Sequence, residues 1–513
     1  MTAGRALPPL LALAAGAATV FAFEPFHLGI LPFATLAVLF WQWQYAPTAR
    51  SAAWLGFAFG VGVFGAGVSW LYVAIRTFGG MPAPLAALAI GCLVVYLALW
   101  PAAAGWVAVR AGAPGSFTRV VAAAGAFTLA EWLRGTVFTG FPWLATGYAQ
   151  VPDGALAGFA PVGGVYLVSL AVALVAALIA ETFGAIERAA QRELALLALA
   201  AAALFVAGAA LRTVAWTHPQ GAPLAVSLVQ GNVPEDDKFD PGLRKATFDR
   251  YLSLVATSRG RLVVLPESSF PMFSDEIPDD VLLSLIRTGI ARDGDVLAGM
   301  FTALPPLSGQ REPRVYNTVV ALGASELQFY RKHHLVPFGE AIPFASVVQP
   351  LMDSVLAIPL AGQARGSASQ PPLAVAGHRV AVDICYEDAF GGEMIASARR
   401  ADLLVNVTND AWYGHSIAAR QHNQIAATRA LESGRPMLRA TNTGITSAIG
   451  VDGRVIAELP WFTTGVLEVS VRGYVGDTPY LRIGDILALA LAALLIVGAA
   501  AATIRRGGRA PTR

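Results

Sequence analysis

Eight apolar stretches, near residues 7–23, 28–44, 52–74, 84–109, 120–138, 156–180, 194–212 and 484–504, constrain this chain more than any other feature. Several approach the ~20 residues that a helix needs to cross the hydrocarbon core of a bilayer. A backbone in lipid has no water to bond, a helix satisfies it internally, and spanning helices tolerate the Gly and Pro that recur here. Charge is distributed to match. Residues 1–213 hold 15 Asp, Glu, Lys and Arg, or 7%, whereas the remainder of the chain holds 55, or 18%. The overall 14% of charged residues is far below the ~25% of a typical soluble domain, which excludes a wholly water-soluble protein.

Other classes fall away on similar grounds. An apolar content of 55% with a net charge of +2 excludes a disordered chain. Against 34 acidic residues, 36 Lys and Arg leave no basic excess for nucleic acid. Two cysteines exclude a disulfide framework and a thiolate zinc cluster. The expected organisation is a membrane domain of seven helices over 1–213, a polar domain over 214–480, an eighth spanning helix over 481–504 and a basic tail over 505–513. The fifth stretch is the weakest span, because Glu131 and Arg134 sit near its end. The first has the alternative reading of a signal peptide, but further spans follow at once, so it is read as retained.

Basic residues in short loops set orientation. With the N-terminus inside, the cytoplasmic pieces carry Arg5, Arg50, Arg110, Arg119, Arg188, Arg192, Arg505, Arg506, Arg509 and Arg513, and the opposite loops only Arg76 and Arg134. Residues 214–480 are then expected outside the cytoplasm. Without the fifth span, both the parity and the bias are lost.

In the polar region the periodicity changes. Strand-like runs at 224–229, 261–265, 295–300, 315–322, 373–385, 402–408 and 437–449 alternate with helical stretches, one over roughly 241–258. That alternation favours a layered α/β fold. Some runs are separated only by turns, so the sheet is expected to be mixed.

Three residues in this region are candidates for chemistry. Cys385 ends an apolar strand in 380–388 (VAVDICYED), a position that presents a thiol to a cleft at a sheet edge; the alternative is a buried structural cysteine. Lys332, in 330–340 (YRKHHLVPFGE), is one of only three lysines, beside Lys238 and Lys245, in a chain that otherwise uses arginine. A compact point charge is one reason to keep lysine there, and a solvated loop cation is the other. Glu267, in 265–270 (LPESSF), closes a strand, with a solvated turn residue as its alternative. Together they make a reaction. A thiol is mostly protonated near neutral pH and needs a base, which a carboxylate in an apolar cleft supplies. An ammonium stabilises first the thiolate and then the oxyanion of a tetrahedral intermediate. Attack on an ester or amide leaves a thioester acyl-enzyme. The other cysteine, Cys92, is expected to be packing within a span. Histidines 333, 334, 415 and 422 lack the spacing of a helical metal site and read as satisfied surface or core residues.

These residues lie in segments that resemble the nitrilase (carbon–nitrogen hydrolase) superfamily, and within it the membrane branch of apolipoprotein N-acyltransferases. The carrying segments are 229–234 (VQGNVP), 265–267 (LPE), 332–340 (KHHLVPFGE), 384–387 (ICYE), 409–414 (NDAWYG) and 439–445 (RATNTGI). In the membrane part, 69–72 (SWLY), 78–82 (FGGMP), 131–134 (EWLR) and 140–144 (GFPWL) are similar too. The resemblance implies an α-β-β-α sandwich beside the membrane helices, with Glu267 as general base, Lys332 as oxyanion and thiolate stabiliser, and Cys385 as nucleophile. It implies supporting roles for Glu340, Tyr386 and Glu387. Where the family commonly has Trp after a Lys, this chain has Phe239 after Lys238, which keeps an aromatic face and loses an indole N–H.

The activity so implied is the last step of bacterial lipoprotein maturation. Cys385 takes an acyl chain from a membrane phospholipid, and the N-terminal α-amine of an S-diacylglyceryl-cysteine attacks the thioester. The donor ester carries the acyl group, so no cofactor or metal is expected. The expected setting is a monomer in the inner membrane, with its catalytic domain on the periplasmic side and no nucleic-acid partner. Two alternatives are a membrane-tethered nitrilase-type amidase, for which seven spans are more than a tether requires, and a transporter or receptor, which usually carries more ionisable residues within its spans. Beyond Glu340, Phe344, Val348, Leu351, Met352 and Val355 fall on one helical face, broken by Pro343, Pro350 and Pro359. This face reads either as domain core or as a lid, through Phe344, Leu351 and Met352, that dips into the membrane interface to cover acyl chains.

Overall fold

The computed structural model describes residues 3–306, 313–342 and 362–507, which divide into two compact units. The helical unit takes in residues up to Leu71, Pro84–Ala215 and the chain from Ile483 onward. Each of the eight apolar stretches forms a helix there: Ala3–Thr19, Leu31–Tyr45, Ala49–Gly67, Ala83–Ala111, Phe117–Arg134, Ala160–Glu187, Gln191–Arg212 and Ile486–Gly507. Close backbone approach needs small residues. A Cβ on Gly16 would collide with the Phe59 carbonyl oxygen, and one on Gly62 with the Leu13 oxygen, so the first and third helices cross on glycine.

Among the described residues, five helices are long and apolar enough to cross a membrane: the third, fourth, sixth, seventh and eighth. The first two, at 17 and 15 residues, fall short of the ~20 a full crossing takes. The fifth carries Arg119, Glu131 and Arg134, all buried. Arg119 donates to the main-chain oxygens of Gly112, Gln44 and Ala46 at 2.9, 3.2 and 3.0 Å, and Arg134 to that of Trp143 at 2.6 Å. These two arginines, counted among the loop charges that set orientation, are main-chain clamps, and one leaves each side of that tally.

The second unit joins Tyr72–Ala83 to Trp216–Arg482. Its strands, in chain order, are β1 (His218–Gln230), β2 (Leu262–Val264), β3 (Phe270–Phe273), β4 (Asp295–Leu304), β5 (Arg314–Gly323), β6 (Gln328–Arg331), β7 (Leu373–Val375), β8 (His378–Ile384), β9 (Leu403–Thr408), β10 (Met437–Thr441), β11 (Ser447–Ile449), β12 (Val455–Glu458) and β13 (Gly465–Val475). They form two sheets of order β13-β1-β2-β4-β5-β6, with β3 on β4, and β12-β11-β10-β9-β8-β7. Both are mixed, with a parallel trio at the heart of each: β1-β2-β4 and β8-β9-β10.

Alternation along the strands fixes the layers. Val226, Leu228, Leu262 and Val264 of one sheet are buried in one cluster with Val382, Ile384, Val405 and Val407 of the other. The intervening residues Val229 and Val263 face the opposite way, with Phe248, Tyr251, Val281 and Leu285 on the helices Arg244–Thr257 and Asp279–Ala291. Helices Gly391–Ala398 and Ala418–Ser433 pack on the second sheet. The result is a nitrilase-like sandwich of two mixed sheets between helices. Strands β3, β6, β12 and β13 extend the pattern beyond the runs expected from sequence.

Candidate active site

The ends of parallel strands are where α/β folds gather functional side chains. Glu267 lies three residues past β2 and Cys385 directly follows β8, both strands of the parallel trios, whereas Lys332 directly follows the antiparallel β6 and donates its own N–H to the Asn317 carbonyl of β5 at 2.8 Å. The structure brings the three together. The Lys332 ammonium, 1% exposed, donates to Glu340 Oε1 at 2.8 Å and Glu267 Oε1 at 3.4 Å. Asn317 Nδ2 donates to the same Glu267 oxygen at 2.7 Å. Cys385, 6% exposed, lies within electrostatic reach of both Glu267 and Lys332. A solvated loop cation and a solvated turn carboxylate are thereby excluded.

Burial alone would lower the Lys332 pKa, but Glu340 and Glu267 outweigh it and hold the side chain firmly as ammonium. Burial raises the Cys385 thiol well above its ordinary value, Glu267 adds to that, and Lys332 pulls against it. The resting sulfur is therefore a thiol whose proton must move for it to react.

Cys385 adopts φ 56°, the left-handed region, which a non-glycine residue enters at a cost of order 1 kcal/mol and keeps only where its surroundings hold it. They do. Its carbonyl accepts from Asn406 Nδ2 at 3.1 Å and faces His422 Nε2 at 3.3 Å. Glu387 ties the turn to the lysine loop. Its Oε2 accepts from Ile384 N–H at 2.7 Å and the Tyr330 hydroxyl at 3.0 Å, and its Oε1 from the His333 and His334 N–H groups at 2.7 and 3.0 Å. Glu340 Oε2 accepts from Val336 N–H at 2.8 Å, so its other oxygen is aimed at Lys332. Tyr386 is buried edge-on against Phe390. Phe239 is half-buried beside Lys238. Phe344, Leu351 and Met352 lie outside the described residues.

Beneath the cysteine turn is a charge cluster that sequence reasoning passed over. His422 sits between Asp388 (3.0 Å) and Asp410 (2.8 Å), and Arg439 donates to Asp388 and Asn406 at 2.8 and 3.0 Å. Desolvation opposes protonation of His422, but Asp388 and then Asp410 prevail against Arg439 and push its pKa up to about 9. A signal was present: Asn406 in LLVNVT and Arg439 in MLRAT are polar residues inside otherwise apolar buried strands. His422 is a satisfied core histidine, as its sequence context suggested. Cys92, expected to be packed, is instead exposed on the fourth helix. From the stretch Tyr72–Ala83, Phe78 stands edge-on to Trp412, whose neighbour Tyr413 is in electrostatic contact with Cys385.

Residues 15–178 match the model of the apolipoprotein N-acyltransferase N-terminal domain, and residues 200–480 that of the carbon-nitrogen hydrolases. Full-length relatives are similar throughout. The apolipoprotein N-acyltransferase of Nitrosomonas europaea is 47% identical over 95% of this chain and 96% of its own. Those of Chromobacterium violaceum and Ralstonia nicotianae are 41% and 44% identical, over 98% and 99% of this chain and 96% and 95% of theirs.

Proposed function

The chain belongs to the apolipoprotein N-acyltransferase family, and from that premise we propose that it transfers an acyl chain from a membrane phospholipid to the α-amine of an S-diacylglyceryl-cysteine, through a thioester on Cys385. The observation that carries this reading is the buried ion pair of Lys332 and Glu267 beside the strained cysteine. Both contacts to Glu267 fall on Oε1, which leaves Oε2 to take the thiol proton. The thiolate attacks the ester carbonyl, and the oxyanion develops against the Lys332 ammonium, which Glu340 keeps in place. As the tetrahedral intermediate collapses, the glycerol oxygen leaves with the proton from Glu267 as lysophospholipid. The incoming amine then attacks the thioester, gives its proton to Glu267, and Cys385 departs as thiolate to be reprotonated.

Helices apolar enough to cross a membrane make it a membrane protein. Both substrates are lipid-anchored, which suits an active site on a chain that enters the bilayer. We place the catalytic unit on the periplasmic side of the inner membrane, from the remaining arginine bias of the short loops. Phe239, Phe344, Leu351 and Met352 are proposed as the apolar contacts for the acyl chains. Incubating the purified protein with phospholipid, with and without a diacylated lipopeptide, tests the assignment. Triacylated lipopeptide with lysophospholipid supports the transferase, and steady fatty-acid release without lipopeptide replaces it with a hydrolase.

A further inference from the structure

Two of the three lysines in the chain are buried at this site. Lys245 is exposed and pairs with Asp249, and Lys332 is engaged by Glu340 and Glu267. Lys238, 4% exposed, is engaged by neither role. It closes the short turn Glu235–Lys238 after β1, and its Nζ donates to the main-chain oxygen of Glu267 at 3.2 Å. Among the described residues that is its one hydrogen bond. A buried ammonium is costly unless charge or hydrogen bonds offset the lost water.

The turn that carries Lys238 is firmly held. Asn442 brackets Val233, accepting from its N–H at 2.9 Å and donating to its oxygen at 2.8 Å, and also donates to Asn409 at 3.0 Å. Asn409 in turn donates to Glu235 Oε2 at 2.7 Å, while the buried Glu235 Oε1 has no hydrogen-bond partner among the described residues. Glu235 from its own turn, Glu267 from the end of β2 and Cys385 from the end of β8 lie within electrostatic reach of the Lys238 side chain. Burial draws the Lys238 pKa down, and those three only partly offset it, so it stays below the ordinary lysine value.

We propose that Lys238 is a positioning residue for thiolate formation: it pins the main chain of the base and places a second positive charge beside Cys385. The inference rests on the reading of Cys385 as nucleophile. Lysine suits the place because an ammonium is a compact charge that one carbonyl can anchor. The proton still passes from the Cys385 sulfur to Glu267, and Lys238 only lowers the cost of the charge left behind.

The test is the rate of Cys385 alkylation by iodoacetamide as a function of pH, on the full-length chain in detergent with Cys92→Ala to remove the exposed thiol. Lys238→Met is expected to raise the midpoint by about one pH unit, making alkylation about tenfold slower near neutrality. Lys238→Arg, which keeps the charge, is expected to restore most of the shift. Lys238→Gln keeps a donor for the Glu267 carbonyl without the charge, and serves if the Met variant does not fold. An unchanged midpoint in the charge-removing variants, with or without a uniform fall in rate, would overturn the proposal. Alkylation needs no lipid, so this result is separate from whether the protein transfers acyl chains.

Discussion

Two arginines of the helical unit and the active-site cluster of the sheet unit bury their charge against different groups. Arg119 and Arg134 in the helical unit spend their guanidinium donors on main-chain carbonyls. In the sheet unit Lys332 faces Glu340 and Glu267, and His422 and Arg439 face Asp388 and Asp410. A guanidinium held by carbonyls has no proton to exchange near neutral pH and only fixes the chain. An ammonium between carboxylates, beside a thiol, sets protonation states that a substrate can change. Burial of charge alone therefore does not mark a site. What it is buried against does.

The largest expected effect on this contrast comes from the sheet unit. Cys385→Ala should abolish both acyl-enzyme and product with little change in melting temperature, since a methyl replaces a thiol of similar size. Cys92→Ala, on an exposed helix face, should leave both unchanged. Turnover retained in the Cys385 variant would remove the chemical half of the comparison. Next in size, Glu267→Gln should slow thioester formation by about 10²–10⁴-fold, as loss of a general base does. Lys332→Arg should be a poor substitute, because a planar fork does not fit between Glu340 and Glu267 as a point charge does. Both are read by the rate at which acyl-enzyme accumulates.

The helical unit should respond the other way. Arg134→Met leaves buried carbonyls unpaired, at a cost of about 1–3 kcal/mol each, so the melting temperature should fall while folded protein still alkylates at Cys385 at the parental rate. A lost alkylation rate in folded Arg134→Met protein would blur the distinction drawn here.

A smaller effect tests the cluster beneath the nucleophile. The His422 pKa, raised to about 9, exceeds the ~6.5 of an unfolded histidine. The stabilisation from its proton is thus complete below about pH 6.5 and is lost as pH rises through about 9. Melting temperature against pH should decline across that window, and His422→Asn should remove that part of the slope. The smallest effect concerns polar substitutions at Phe344, Leu351 and Met352. As lid residues they should reduce turnover of long-chain donors more than of short-chain, detergent-soluble ones. Equal losses with a lower melting temperature would make the face ordinary core.

Much of the sheet unit was legible because its inner strands are apolar runs. β8 and β9 stand out as AVDI and LLVNVT, and Cys385 is marked by the point where such a run turns acidic. β13 was not legible, since Glu468, Ser470 and Arg472 interrupt its apolar residues and the strand is defined by its distant pairing with β1. The burial of Lys332 was equally hidden. In KHHLVPFGE it looks solvated, yet Glu340, eight residues on, is its nearer partner at 2.8 Å, and the second carboxylate, Glu267, arrives from 65 residues earlier in the chain to complete the surroundings of an ammonium that is 1% exposed. Among the helices, the apolar stretches were plain, but Arg119 and Arg134 read as loop charges because their carbonyl partners lie in other segments.

The central claim is that Cys385 carries the acyl chain, and intact-mass and peptide mass spectrometry of protein incubated with one defined phospholipid measures it directly. The expected result is a single added acyl mass on the peptide containing Cys385, released by hydroxylamine, absent from Cys385→Ala, and discharged when diacylated lipopeptide is supplied. Lipopeptide acylation that proceeds with no adduct on Cys385, or with the acyl group on another residue, would contradict it.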